Sequence, residues 1–290
     1  MDDLSPIAEV IARRRSCRKY KRQPLTEDDR RALTAFIAGN AGSPFGGRTR
    51  FLLVAATEQE RAELKGLGTY GFIDGAAGFL VGAVERGPRD YEDYGYQLEC
   101  AILRATALGL GTCWLGGTFT KSGFARRIAL GAGELMPAVA AVGYALEEGF
   151  SRDRIRRMAG SNARLPAAAL FFDGSFGAPL APGAAGAYAG ALEAVRWAPS
   201  ASNRQPWRLL RTTTGWHFSL ARTKGYGKGT LLFAVLRLAD LQRVDMGIAM
   251  CHFALVARAA GLTGGWVIDD PGIAGMSAGV EYTATWRPSR

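Results

Sequence analysis

The sequence predicts a protein of mixed helix and strand made of two tandem copies of one unit, and two observations carry that prediction. Helix-like and strand-like runs interleave along the chain. Compared with itself at an offset of 152 residues, the chain places Asp93 on Asp245, Gly95 on Gly247, Leu103 on Leu255 and Ala105 on Ala257. The same offset places Ala107 on Ala259, Gly109 on Gly261, Leu110 on Leu262 and Trp114 on Trp266, giving eight identities over 22 gap-free positions. Ala- and Gly-rich sequence produces some chance matches, but the preserved order and the shared tryptophan favour duplication. The copies divide the chain at 1–165 and 166–290.

In chain order, Ser5 as cap and Pro6 as first residue open an amphipathic helix over Ile7 to Arg15, with Ile7, Val10 and Ile11 on one face. Thr26, followed by Glu27, Asp28 and Asp29, caps a second helix that runs to about Ala38. Phe51 to Ala56 reads as a buried strand, Thr57 to Lys65 as a polar helix, Thr69 to Gly75 as a turn and Ala76 to Val84 as a second strand. A longer helix starts near Tyr91 and closes on the glycines at Gly109 and Gly111. Ala138 to Tyr144 is again a strand. In the second copy, a helix over Tyr188 to Trp197 repeats Ala32, Leu33 and Ala35 as Ala191, Leu192 and Ala194, and a strand follows near Leu209.

At 290 residues, 48% hydrophobic and 21% charged, the chain has the composition of a folded protein with a substantial core. No apolar run approaches the roughly 18 to 20 residues of a membrane helix, and the acidic start MDDL lacks a secretion signal, so the expected setting is cytoplasmic, without a membrane partner. Cys17, Cys100, Cys113 and Cys251 show no CxxC pairing, and only His217 and His252 exist, which argues against metal sites and histidine triads. The net charge of +10 is spread over both halves with no recognisable nucleic-acid module, so nucleic acid is not expected as a partner. The chemistry is expected to come from a cofactor. Gly225 to Thr230 fails the Walker pattern because Gly229 separates Lys228 from Thr230, and Gly109, Gly111 and Gly116 do not follow a strand as a dinucleotide fold requires.

Three stretches carry candidate chemistry. Arg13, Arg14, Arg15, Arg18 and Lys19 flank Ser16 and suit a phosphate, because guanidinium forks make paired charge-assisted bonds and the hydroxyl adds a neutral donor. Gly116 and Gly117, in GTCWLGGTF, let backbone N–H groups approach a planar ligand. Pro199, Ser200, Ala201, Ser202 and Asn203, in APSASNRQPW, form a loop with short polar side chains between a helix and a strand.

Together these stretches resemble the FMN-dependent nitroreductase family, and in particular its fused two-domain members of about this length. The resemblance implies an α+β sandwich working as an internal pseudo-dimer, with a core between the two long helices. It further implies that Arg14, Arg15 and Ser16 hold the flavin phosphate, with Arg18 near the ring. Gly116 and Gly117 would donate near the ring, and Pro199 to Asn203 would close the site from the other half. Arg154 and Arg156 would form a second basic pair toward the phosphate. The loop at Asn40 to Arg50 sits where a second Pro-Ser-x-x-Asn loop would be but lacks the pattern, and the run Leu180 to Tyr188 lacks Arg-x-Ser-x-Arg. One flavin between the halves is therefore expected. The implied activity passes reducing equivalents from NAD(P)H through FMN to an electron-poor small-molecule acceptor, a nitroaromatic, quinone or similar. The expected assembly is a monomeric pseudo-dimer that is free to associate further. A flavin binder with little turnover, used for storage, sensing or flavin modification, and a basic protein for nucleic acid or acidic ligands are the alternative readings.

Overall fold

The computed structural model describes residues 6–39, 42–55, 71–117, 121–146, 163–226, 239–272 and 279–289. Ser5, Asn40, the expected helix at 57–65, Arg154 and Arg156 with the rest of their basic run, and the segment from Gly227 to Thr230 lie outside these residues.

The first half contains α1 (Ile7–Arg13), α2 (Glu27–Gly39), β1 (Thr49–Ala55), β2 (Gly78–Glu85), α3 (Asp90–Ala107), β3 (Gly111–Leu115), α4 (Lys121–Arg127), β4 (Glu134–Leu135) and β5 (Val139–Gly143). The second contains β6 (Phe171–Asp173), β7 (Ser175–Pro179), α5 (Ala189–Trp197), β8 (Trp207–Thr212), β9 (Gly215–Ala221), α6 (Leu241–Ala259), β10 (Gly264–Val267) and β11 (Val280–Pro288). The Thr26 cap forms as expected: its Oγ1 accepts the Asp29 N–H at 3.2 Å, and the Tyr144 hydroxyl closes the cap by donating to Asp29 and accepting the Thr26 N–H. One helix end departs from expectation. α1 stops at Arg13 rather than Arg15, because the Cys17 N–H bonds to the Thr112 carbonyl at 2.7 Å and Ser16 bridges Thr112, which draws the chain into an extended run beside β3. Tertiary hydrogen bonding overrides helix propensity there.

The first sheet has the order β1-β2-β5-β3, all antiparallel, with β4 added against β2. The second has the order β10-β11-β9-β8-β6-β7, antiparallel except where β6 meets β8. Within it, β8-β9-β11-β10 repeats the order and chain sequence of β1-β2-β5-β3, with α6 falling between β9 and β10 as α3 falls between β2 and β3.

The two long helices pack on each other at the centre of the molecule, and their contacts recur in pairs at the same offset of 152. A Cβ on Gly95 would collide with the Val244 carbonyl, and one on Gly247 with the Glu92 carbonyl. Asp93 accepts the N–H groups of Phe45 and Gly47, and Asp245 accepts that of Ala201. The Glu99–His252 pair has its counterpart in Cys251–Cys100, whose sulfurs lie 3.4 Å apart. Residue i meeting j while j's counterpart meets i's is the pattern of a self-complementary twofold interface, here inside one chain. Glycine at both crossing points lets the backbones touch, which fixes the distance between the halves.

Candidate functional site

A cavity of about 560 Å³ opens between the halves. Its wall takes Ser16 and Arg18 from the run after α1, Trp114, Gly116 and Gly117 from β3 and its end, and Pro199 to Ser202 from the second half. Ser16 and the glycines are neighbours because the run after α1 lies parallel to β3. The remaining wall is mostly apolar, with Ala138, Leu241, Val244 and Ile248. A mostly apolar cleft with a few convergent polar groups is the usual form of a small-molecule site.

Several expected residues occupy other places. Arg14 is buried with its Nε 3.9 Å from Glu99, and Arg15 is exposed; neither is in the cavity wall. Asn203 also stays out of the wall: its amide donates to the Ala163 carbonyl at 3.0 Å and its oxygen accepts from Arg164 at 3.2 Å, so it ties the loop to the chain before β6. The two glycines differ. A Cβ at Gly116 would run into the Leu241 side chain at 2.5 Å, so this glycine makes room for the start of α6, whereas the Cβ position of Gly117 faces open space. Neither has a positive φ.

The loop from the second half is held in a costly conformation. Ser202, Asn203 and Gln205 have φ of 51°, 53° and 49°, the left-handed region, which costs a non-glycine residue about 1 kcal/mol or more apiece. Asparagine tolerates this region better than most residues. Side chains fix the loop from every side. Asp245 accepts the Ala201 N–H at 3.0 and 3.2 Å, Ser200 Oγ accepts the Gln205 N–H at 2.9 Å, and Gln205 Oε1 accepts the Leu165 N–H at 2.9 Å. Ser202 Oγ lies 3.3 Å from the hydroxyl of Tyr226, another wall residue.

Burial pushes the carboxyl of Asp245 well up from its ordinary value despite the Ala201 bond. Its counterpart Asp93 is pushed up to about 6, also by burial. Asp240, in the cavity wall, is ionically paired with Arg222 at 2.8 and 2.9 Å. Burial raises the Cys17 thiol to about 11, so the sulfur beside Ser16 is protonated at neutral pH and is no nucleophile. Among the described residues, no cluster of histidine, cysteine, aspartate and glutamate could hold a metal ion, and no helix is long and apolar enough to cross a membrane.

Sequence reasoning passed over Asp245, Trp114, Tyr226 and Glu99 as site residues. For Asp245 a signal existed, since an acid kept at the same place in both copies, two residues before a shared glycine, needs a reason. Glu99 offered none, because its counterpart in the second copy is Cys251.

Residues 6–257 match the sequence model of a family described as "Putative TM nitroreductase". The fold resembles that of a "putative nitroreductase" from Thermotoga maritima MSB8, with a TM-score of 0.59 at 20% identity over 97% of this chain and 93% of that one. Half of the chain is also similar to a "putative nitroreductase" solved in complex with FMN from Desulfovibrio desulfuricans, at 24% identity and a TM-score of 0.41 over 50% of this chain and 89% of that one. A nitroreductase with bound FMN from Bacteroides fragilis gives 22% identity and a TM-score of 0.37 over 49% and 89%. No curated protein matches the chain. With the family match running from the first helix to the end of the second long helix, the chain belongs to this nitroreductase family.

Proposed function

We propose that the chain is an FMN-dependent oxidoreductase that passes reducing equivalents from NAD(P)H to an electron-poor small-molecule acceptor, such as a nitroaromatic or a quinone. The observation that carries the reading is that one cavity collects Ser16, Arg18, Gly116, Gly117 and the loop Pro199 to Ser202 from both halves. The proposed units are 1–165 and 166–290, descended from one duplicated ancestor and acting as the two subunits of a homodimer would. The repeated sheet order and the paired contacts at offset 152 support that descent.

The wall suits a flavin. Ser16 and Arg18 offer a hydroxyl and a guanidinium for anionic groups, the open Cβ position of Gly117 leaves backbone free for a planar ring, and Ala138, Leu241 and Ile248 are apolar. FMN, when bound, supplies the two-electron chemistry. The protein's part is to orient it, to exclude water along the apolar wall and to place the Arg18 charge where negative charge develops on reduction. Arg154 and Arg156 remain candidates for the phosphate. Arg14, turned toward Glu99, acts on the protein side of the site, and Asn203 acts by fixing the loop.

The test is the flavin-to-protein ratio after FMN addition and removal of excess. A ratio near one is expected. A ratio near two would mean that the Asn40 loop also serves a flavin, and zero would end the proposal. Arg18→Ala is expected to weaken FMN binding and slow reduction far more than Arg156→Ala; small and equal effects would remove the role given to Arg18.

A further inference from the structure

Three of the segments that wall the cavity come from distant parts of the sequence, and all three lead back to one buried carboxylate. Glu99, on α3, is fully buried and does not itself line the cavity. Its Oε2 accepts the Trp114 indole N–H at 2.7 Å, two residues before Gly116. Its Oε1 lies 3.9 Å from Arg14 Nε, two residues before Ser16. The same oxygen is 2.9 Å from His252 Nε2, and the Nδ1 of that histidine is 2.9 Å from the Ala194 carbonyl on α5, the helix that runs directly into Pro199. A carbonyl only accepts, so Nδ1 carries a hydrogen, and a proton also lies between Nε2 and Glu99.

We infer that Glu99 is a positioning residue of the cavity, a group that ties the segments 14–18, 114–117 and 199–203 to one another across the two halves. The inference rests on the proposed flavin reading only for its ligand; the mechanical role is independent of it. At the twofold-related position the same contact is Cys251 against Cys100, two weakly bonding thiols. The two halves are therefore tied unequally, and the charged tie stands behind the walls of this cavity.

The experiment compares hydrogen exchange of the ligand-free wild type, Glu99→Leu and Glu99→Gln. Glu99→Leu should raise exchange in all three segments, while β8, β9 and α2 exchange as before. Glu99→Gln should restore 114–117 and 199–203, because its amide can accept from Trp114 and donate to His252, yet leave 14–18 loosened for want of the charge facing Arg14. Should Glu99→Leu fail to fold, Trp114→Phe, which removes the indole N–H that Glu99 accepts together with part of the ring, should loosen 114–117. In the presence of FMN, Glu99→Leu should bind it about tenfold or more weakly, with an altered residual flavin fluorescence, and Glu99→Gln should recover most of the affinity. Exchange that rises uniformly through both sheets, or stays unchanged in the three segments, would overturn the inference. A wild type that takes up no FMN would instead count against the proposed function, and the exchange result would still decide the role of Glu99.

Discussion

Replacing Gly247 by alanine should both destabilise the protein and loosen the cavity, because this glycine sets the spacing of the halves. The new Cβ would stand inside the Glu92 carbonyl oxygen and 2.8 Å from the Tyr96 nitrogen, against normal carbon-to-oxygen contacts of about 3.3 to 3.6 Å. Both obstacles are backbone atoms of α3 and cannot rotate away, so the helix axes must separate by roughly 1 Å. Overpacking of this kind costs about 1 to 3 kcal/mol or more, while alanine returns about 1 kcal/mol of helix propensity. The net loss is then up to about 2 kcal/mol, or a Tm lower by up to roughly 8 °C. The separation also moves Leu241 and Asp245 away from Gly116 and Arg18, so FMN affinity should fall with stability. Urea unfolding at constant m-value measures the first effect and FMN titration the second. Gly190→Ala is the control, since its Cβ would meet Val256 at an ordinary 3.6 Å and should leave stability equal or slightly higher. Gly247→Ala as stable as that control would refute the close crossing and, with it, the spacing argument.

Two further outcomes follow from the loops and their clamps. At Ser202, where φ is 51°, stability should rank glycine above serine above valine, with glycine gaining about 0.5 to 1 kcal/mol. The reverse order in urea midpoints would mean that the loop is unstrained. Burial holds Asp93 up to about 6, so between about pH 4 and pH 6 the native state binds a proton that the unfolded state has released, and wild-type stability is lost as pH rises through that window. Asp93→Asn lacks this term, so its stability relative to wild type should improve by about 1 to 2 kcal/mol from pH 4 to pH 7; a constant difference would show that Asp93 is ionised throughout.

Much of the fold was written locally. The Thr26 cap, the first long helix and the strands around Phe51, Leu80 and Val139 depend on neighbours within a few residues, and they lie where periodicity puts them within a residue or two. The repeat at offset 152 was legible because Gly95 and Gly247 serve the crossing of the halves, while Asp93 and Asp245 each hold a loop of their own half. Of the candidate stretches, Ser16, Arg18, Gly116, Gly117, Pro199, Ser200, Ala201 and Ser202 line one cavity. Only the tertiary structure decided the rest. Arg14 and Arg15 sit in one charge run, yet Arg14 is buried toward Glu99 and Arg15 is exposed, because the Thr112 carbonyl captured the chain after Arg13 and fixed which side each residue faces. Asn203 turned from the cavity to Ala163, Gly116 made room for Leu241, and Glu99 joined partners 15 to 153 residues from it. Local sequence carries propensity and alternation. A buried acid becomes a node only when the chain brings its partners from afar, and no spacing along the sequence encodes that meeting.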